Sequence, residues 1–385
     1  MTAVEPLVAR MQGFGTTIFA EMSALAVATG SVNLGQGFPD TDGPREVLQA
    51  AVAAIQDGRH NQYPPGPGIP ELRQAVARHQ RRFYSLEFDP DTEVLVTAGA
   101  TEAIAAALLA LVDSGDEVVT FEPYYDSYAA CIALAGARRH VVTLRPGEQR
   151  WTFDPNALHD AITPRTKAIL LNTPHNPTGK VFDRAELQLI ADVAVNRDLL
   201  VITDEVYEHL IFDGEHVPIA GLPGMRERTV TIGSAGKTFS VTGWKIGWVC
   251  ATPPLTTALR TVKQFLPYVN GGPFQPAIAR GLALPDTYYD GAAAQLRLQR
   301  DLLCDGLAEL GYDVIRPQAT YFATVDVHGD AVEFCRALPR DKRVVAIPSS
   351  VFYDSDAGDA HVRFAFCKRP EVLAEALIRL KGATA

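Results

Sequence analysis

Cysteine is scarce in this chain and follows no pattern. The five residues stand at 131, 250, 304, 335 and 367, an odd number with no C-x-x-C pair. That excludes a disulfide framework and a cysteine-rich zinc module, and makes reduced, mostly buried thiols of a cytoplasmic protein the simplest expectation. None of the nine histidines lies four residues from another, the helical spacing that zinc sites favour, so no metal is expected. Long apolar runs are missing too. A run such as Ile104–Val112 falls well short of the ~20 residues a membrane span requires, so no membrane partner is expected. The opening stretch, MTAVEPLVARMQGFG, shows neither the apolar core nor the cleavage pattern of a secretory leader. Positive charge is in deficit, with 35 Lys and Arg against 45 Asp and Glu and a formal net charge of −10. Such a chain repels phosphate backbones, which argues against a general nucleic-acid partner. Repeats, low-complexity tracts and long linkers are absent as well.

What remains is ordinary globular composition, 47% hydrophobic and 21% charged over 385 residues, enough for one large α/β unit and a smaller one. From about residue 90, short β-branched runs alternate with longer apolar-periodic ones. The pattern predicts strands at Val94–Thr97, Val118–Phe121, Ala168–Asn172, Leu199–Thr203, Val230–Gly233 and Ile246–Cys250. It predicts helices at Glu102–Val112, Asp126–Ala135 and Arg184–Arg197. Apolar strands alternating with helices mean a mainly parallel sheet covered on both faces. Past about residue 285 the pattern changes. A long amphipathic helix, Tyr288–Leu310, leads into strands at Tyr321–Val325, Val344–Ile347 and His361–Phe366 and a last helix at Pro370–Lys381. This reads as a large domain over 46–284 and a smaller α+β domain made of 1–45 and 285–385. The stretch YPPGPGIP, Tyr63–Pro70, reads as neither helix nor inner strand but as a plain loop or a rigid loop that presents something.

Ligands of such sheets sit beyond the carboxyl ends of the strands, so the residues just after each strand carry the chemistry. Gly99-Ala100-Thr101-Glu102 opens a helix after the first strand, where free backbone N–H groups and the helix dipole favour an anion. The plainer alternative is a helix start capped by Thr101. Asn176 is held between prolines in Thr173-Pro174-His175-Asn176-Pro177-Thr178-Gly179, and its amide can donate and accept. A plain turn explains it equally. Asp204 ends a buried strand, where an acid needs a cationic or metal partner or must cap the next helix. Tyr207 follows at the same end. Lys237, in Ser234-Ala235-Gly236-Lys237, is flanked by small residues, and desolvation there lowers a lysine's pKa and suits it to bond carbonyls. Taken alone it reads more simply as a surface lysine. Lys245 follows eight residues on.

Two other mechanisms claim these residues. Gly236-Lys237-Thr238 suggests a P-loop, but the required glycine five residues earlier is Thr231, and the acidic strand precedes the lysine. Ser234-x-x-Lys237 matches a serine acylase pattern, but neither of its downstream motifs, SDN and KTG, is present.

Asn176, Asp204, Tyr207, Ser234, Lys237, Lys245 and Arg363 stand in one order along the chain. With NLGQGFPD (33–40), NQYPPGPG (61–68), EPYYDSY (122–128), NTPHNPTGK (172–180), ITDEVYEHL (202–210), IGSAGKTFSVTGWKIGW (232–248) and HVRFAFCK (361–368), the set resembles the class I/II aminotransferases of fold type I, which depend on pyridoxal 5′-phosphate (PLP). The resemblance spans nearly the whole chain. It is nearest to the branch holding kynurenine and glutamine transaminases and actinobacterial N-succinyldiaminopimelate aminotransferases.

That resemblance implies a PLP-dependent transferase of fold type I, with a mostly parallel seven-stranded sheet in the large domain beside a smaller α+β domain. It implies Lys237 as the lysine that bonds the cofactor and moves protons, Asp204 as partner of the ring nitrogen, and Tyr207 and Asn176 as partners of the ring oxygen. Tyr125 stacks on the ring. Ser234, Lys245, Gly99, Ala100 and Thr101 hold the phosphate, and Tyr63 reaches the phosphate of a neighbouring subunit in a homodimer with shared sites. Arg363, Asn176 and the Gly37 backbone grip the substrate carboxylate, and Phe19 covers the substrate side chain. The implied reaction moves an amino group from an amino acid to a 2-oxo acid, 2-oxoglutarate by expectation. The glycine-rich segment Pro267–Pro273 and the wording YPPGPG…GGPFQPA favour N-succinyl-LL-2,6-diaminopimelate as donor, within lysine biosynthesis. Kynurenine-, glutamine- or methionine-type transamination and cysteine-conjugate β-elimination remain open on the same scaffold.

Overall fold

Runs such as Ala-Ile-Leu-Leu-Asn, apolar at every position, make strands only when both faces are covered. In the computed structural model, which describes residues 7–15, 17–148 and 150–381, that is what they do. Met1–Pro6, at the head of the opening stretch, lie outside the described residues. Seven strands form the large sheet: β1 (Val94–Thr97), β2 (Glu117–Glu122), β3 (Arg138–Thr143), β4 (Thr166–Asn172), β5 (Leu200–Asp204), β6 (Thr229–Ser234) and β7 (Gly247–Cys250). Their order is β1-β7-β6-β5-β4-β2-β3. All run parallel except β7, which is antiparallel to both neighbours. Alternate residues feed opposite cores. Leu170 and Ile202 pack with Ile104 and Leu108 on one face, while Ile169, Leu171 and Val201 pack with Leu187 and Ile190 on the other.

The helices that matter for the site are α1 (Ile18–Thr29), α2 (Pro70–Tyr84), α3 (Gly99–Leu111), α4 (Ser127–Leu134), α5 (Arg184–Asn196), α6 (Ala235–Thr238), α7 (Asp286–Glu309) and α8 (Pro370–Lys381). Two differ instructively from expectation. Pro70 is not loop but the first residue of α2, where its missing N–H costs nothing. The helix expected from Glu102 starts three residues earlier, at Gly99.

A second, antiparallel sheet holds β8 (Asp313–Ile315), β9 (Phe322–Asp326), β10 (Ile347–Pro348) and β11 (His361–Ala365), in the order β8-β9-β11-β10. Leu303 and Leu307 of α7 and Leu373 and Ala376 of α8 pack on it, with Met22 and Ala26 of α1 in the same core. The strand expected over Val344–Ile347 is split. Val344–Val345 pairs in parallel with Val32–Asn33, and β10 pairs with β11. All five cysteines are buried and free. No helix among the described residues is long and apolar enough to cross a membrane.

Candidate active site

One edge of the large sheet gathers the chemistry because of strand direction. Asn172 and Asp204 end adjacent parallel strands and face each other in register. Gly247 begins β7 opposite both Thr97 and Ser234, the last residues of β1 and β6. The antiparallel strand therefore starts where its neighbours finish, which delivers Lys245 to the same edge. A cavity of about 440 Å³ opens here, and its far wall is Phe322 and Arg363 of the small sheet. Every residue singled out from sequence lines it except Tyr63. Tyr63 is 81% exposed and packs edge-on against Tyr268, outside the cavity.

Lys237 lies half-buried in α6, and its Nζ donates to the Tyr321 hydroxyl at 2.8 Å. Burial pushes its amine down to about 8, against partial restoration by Cys367 and Asp204. Asp204 is buried, and burial raises it to about 6 even though the Tyr128 hydroxyl donates to Oδ2 at 2.6 Å. Both depart from their ordinary values because water is excluded, and both return toward them when an opposite charge arrives. Tyr207 is buried, its phenol shifted upward by desolvation. Tyr125 lines the cavity, raised to about 12 by burial, and meets Tyr128 at 5.8 Å between ring centroids.

The start of α3 carries no N-cap side-chain bond, although Glu102 Oε2 reaches back to accept from the Ala98 N–H. Its N-cap is Ala98, with no side-chain cap, and Thr101 sits in the first turn instead of capping it. The first-turn N–H groups have no partner within the helix. Lys245 Nζ donates to Thr101 Oγ1 at 3.3 Å, which brings a cation to those amides. Gly99 (φ +70°) permits this approach, since a Cβ there would stand 3.2 Å from Lys245 Nζ. Ser234, N-cap of α6, adds a hydroxyl from the neighbouring strand end. Amides, hydroxyls and an ammonium around one point make an anion cradle.

At the opposite wall Arg363 is buried at 2% exposure. Nη1 donates to Asn176 Oδ1 at 3.2 Å and Nη2 to Gly35 O at 3.0 Å, while Nε has no partner. It stacks over Phe322, Phe352 and Phe19 at 4.1, 4.9 and 5.2 Å. Among the described residues it forms no ion pair, and desolvation lowers it to about 10. Asn176 is fixed by its own N–H, which donates to Asn172 Oδ1 at 2.7 Å. Gly37 lies so close to Phe322 that a Cβ would approach its ring to 2.4 Å.

Sequence reading missed three participants. Tyr128 lies one helical turn beyond Tyr125, so its place on the same face was available from spacing alone. Asn172 fixes both strand ends, its Nδ2 donating to Asp204 O at 2.8 Å. Tyr321 stood at the start of an expected strand and carried no polar signal. The fold also gathers His79, Glu208 and His209, whose ligand atoms lie within 4.8 Å of one another although their spacing shows no metal motif. His79 Nε2 and His209 Nε2 are 2.7 Å apart, a hydrogen bond closer than the ~3.3 Å between nitrogens of a tetrahedral zinc site.

A buried amine able to bond a carbonyl, a buried acid beside it, an anion cradle and an arginine with no ion-pair partner among the described residues describe an enzyme acting on a carboxylate through a phosphorylated cofactor. The profile described as aminotransferase class I and II matches residues 29–380, and the chain belongs to that family. Aminotransferases of this family are PLP-dependent, and the cavity suits that group: Lys237 for its aldehyde, Asp204 for its ring nitrogen, the α3 cradle for its phosphate.

The chain is 52% identical to the probable N-succinyldiaminopimelate aminotransferase DapC of Mycobacterium tuberculosis, over 97% of each chain. The solved structure of N-succinyldiaminopimelate aminotransferase from that organism superposes with a TM-score of 0.96, covering 97% of this chain and 99% of that one. The methionine aminotransferase of Escherichia coli is 38% identical over 97% of each chain. Human kynurenine–oxoglutarate transaminase 3 is 38% identical over 96% of this chain and 89% of its own.

Proposed function

We propose that this chain is an N-succinyl-LL-2,6-diaminopimelate aminotransferase, working by ping-pong exchange with 2-oxoglutarate in lysine biosynthesis. One observation carries the chemistry: Lys237, Asp204 and the buried Arg363, which has no ion-pair partner among the described residues, share one cavity. The choice of donor is supported by full-length likeness to the mycobacterial enzyme at 52%, against 38% for the methionine and kynurenine relatives.

Bound PLP supplies a ring that accepts the electrons left on the substrate when its Cα proton departs. The chain's own residues do the rest. Arg363, Asn176 and the Gly37 N–H hold the substrate carboxylate, which fixes Cα near Lys237. Lys237 Nζ, lowered to about 8 by its burial so that a usable fraction is the neutral amine at physiological pH, takes the Cα proton. Asp204 keeps the ring nitrogen protonated. Tyr207 and Asn176 hydrogen-bond the ring oxygen, and Tyr125 stacks on the ring face. Gly99, Ala100, Thr101, Ser234 and Lys245 hold the phosphate. Phe19 covers the substrate side chain. Tyr63, turned away from its own cavity, reaches the phosphate of a partner subunit in a cytoplasmic homodimer.

The test is a panel of amino donors with 2-oxoglutarate, read as glutamate formed. N-succinyl-LL-2,6-diaminopimelate should give the highest kcat/KM. A higher value for methionine, glutamine or kynurenine overturns the donor assignment while leaving the transamination reading intact. Pyruvate release from a cysteine conjugate without any oxo acid would replace transamination by elimination.

A further inference from the structure

Tyr321 is fully buried behind two residues that line the cavity, Lys237 and Gly37. Its hydroxyl donates to the Gly37 carbonyl at 2.6 Å and accepts from Lys237 Nζ at 2.8 Å. The polarity is forced, because a carbonyl can only accept and the single phenolic proton is therefore committed to Gly37. The oxygen's lone pairs face Lys237. An amine that donates one N–H to this oxygen has its remaining positions, including the lone pair of its neutral form, turned away from Tyr321 and toward the cavity.

The chain goes to some trouble to place this ring. Thr320, a β-branched residue, takes the left-handed conformation at φ +70° immediately before it, a strained arrangement for such a side chain. The turn is held by Thr320 N donating to Leu210 O at 2.8 Å and by Phe322 N donating to Thr320 Oγ1 at 3.3 Å. The Tyr321 ring then meets Tyr207 edge-on at 5.3 Å. Gly37 belongs to the same short segment as Gly35, whose carbonyl accepts from Arg363. The segment that meets the substrate carboxylate is thus tied to the lysine amine through one hydroxyl.

We propose that Tyr321 is a positioning residue for the reaction: it holds the free amine of Lys237, the form present once substrate has displaced it from the cofactor, with its proton-accepting side toward the substrate Cα. The inference rests on Lys237 being the proton carrier, not on which donor the enzyme prefers.

The probe is L-[α-²H]glutamate with the cofactor-loaded enzyme, following release of the deuterium to water in the half-reaction. Tyr321→Phe keeps the ring and removes only the hydroxyl. It should slow deuterium release about tenfold or more, raise the primary isotope effect on kcat, and change the KM for glutamate less than about threefold. A second readout needs no cofactor. In the cofactor-free protein, loss of an acceptor that favours the charged ammonium should speed trace acetylation of Lys237 at pH 7 by about threefold, read by mass spectrometry. Unchanged deuterium release and isotope effect, or unchanged Lys237 acetylation in a folded variant, overturns the role of Tyr321. If Lys237→Ala releases deuterium at the wild-type rate, the fault lies instead with the reading of Lys237.

Discussion

A guanidinium sealed from water needs an anion, and Arg363 has none among the described residues; its partners are an amide oxygen and a backbone carbonyl. The proposed function supplies one, the carboxylate common to every amino-acid and oxo-acid substrate, for which a planar fork is suited. Arg363→Gln should therefore lower kcat/KM about a hundredfold or more for amino donor and 2-oxoglutarate alike, chiefly through KM. Arg363→Lys should recover only part of it. Asp204 makes the complementary case. Burial raises its carboxyl to about 6 from 3.8, offset only in part by the Tyr128 hydroxyl and by Lys237, so the folded cofactor-free protein retains a proton that the unfolded chain has lost. Its contribution to stability is present below pH 3.8 and disappears as pH rises through 6, a difference of at most about 3 kcal/mol. Denaturant titrations of the cofactor-free protein should show wild type losing stability relative to Asp204→Asn across that window, while the same variant loses transamination by at least about a thousandfold.

At the scale of elements, the junction of β1 and α3 is where backbone geometry is most exacting. Gly99 stands at φ +70° against the Lys245 amine, and Gly247 packs so tightly that a Cβ would lie 2.7 Å from the Gly99 carbonyl carbon. Gly99→Ala should weaken PLP binding about tenfold, measured by equilibrium titration of cofactor. Gly30→Ala is the control. It carries the same backbone penalty at φ +61° with nothing within 4 Å, so it should lower stability and leave cofactor affinity alone. This junction also shows why the helix was predicted three residues late: small residues at an anion site have the composition of a turn. The β3 edge strand escaped prediction for a different reason. Its Arg-Arg-His opening is charged and mostly half-buried, because only one side of an edge strand is paired. Central strands were legible because burial on both faces forces continuous apolar runs, as in β4 and β5.

For the molecule as a whole, the mainly parallel sheet without its β3 edge and the smaller α+β unit followed from the pattern and its change near residue 285, while the count of seven strands came from the family resemblance. The cavity between them did not follow from local pattern. Arg363 from the small sheet and Asp204 from the large one are separated by most of the chain's second half, and only the ordered set of residues along the sequence pointed to their meeting. Tyr63 extends that difficulty beyond one chain. It is exposed, on a proline-rich loop, beside a hollow lined by Asn270, Gly271 and Gly272. An exposed tyrosine in such a place is explained if a second copy covers it, with the hydroxyl entering that copy's cavity. The consequence is testable by complementation. In a dimer with shared sites, a Lys237→Ala chain paired with a Tyr63→Ala chain has one site carrying both defects and one carrying neither. Co-expression in equal amounts should therefore restore about a quarter of the wild-type active sites, above the weighted mean of the two parent variants, as measured by glutamate formation per chain. If each site is built from a single chain, every hybrid site keeps exactly one defect and activity stays at that mean.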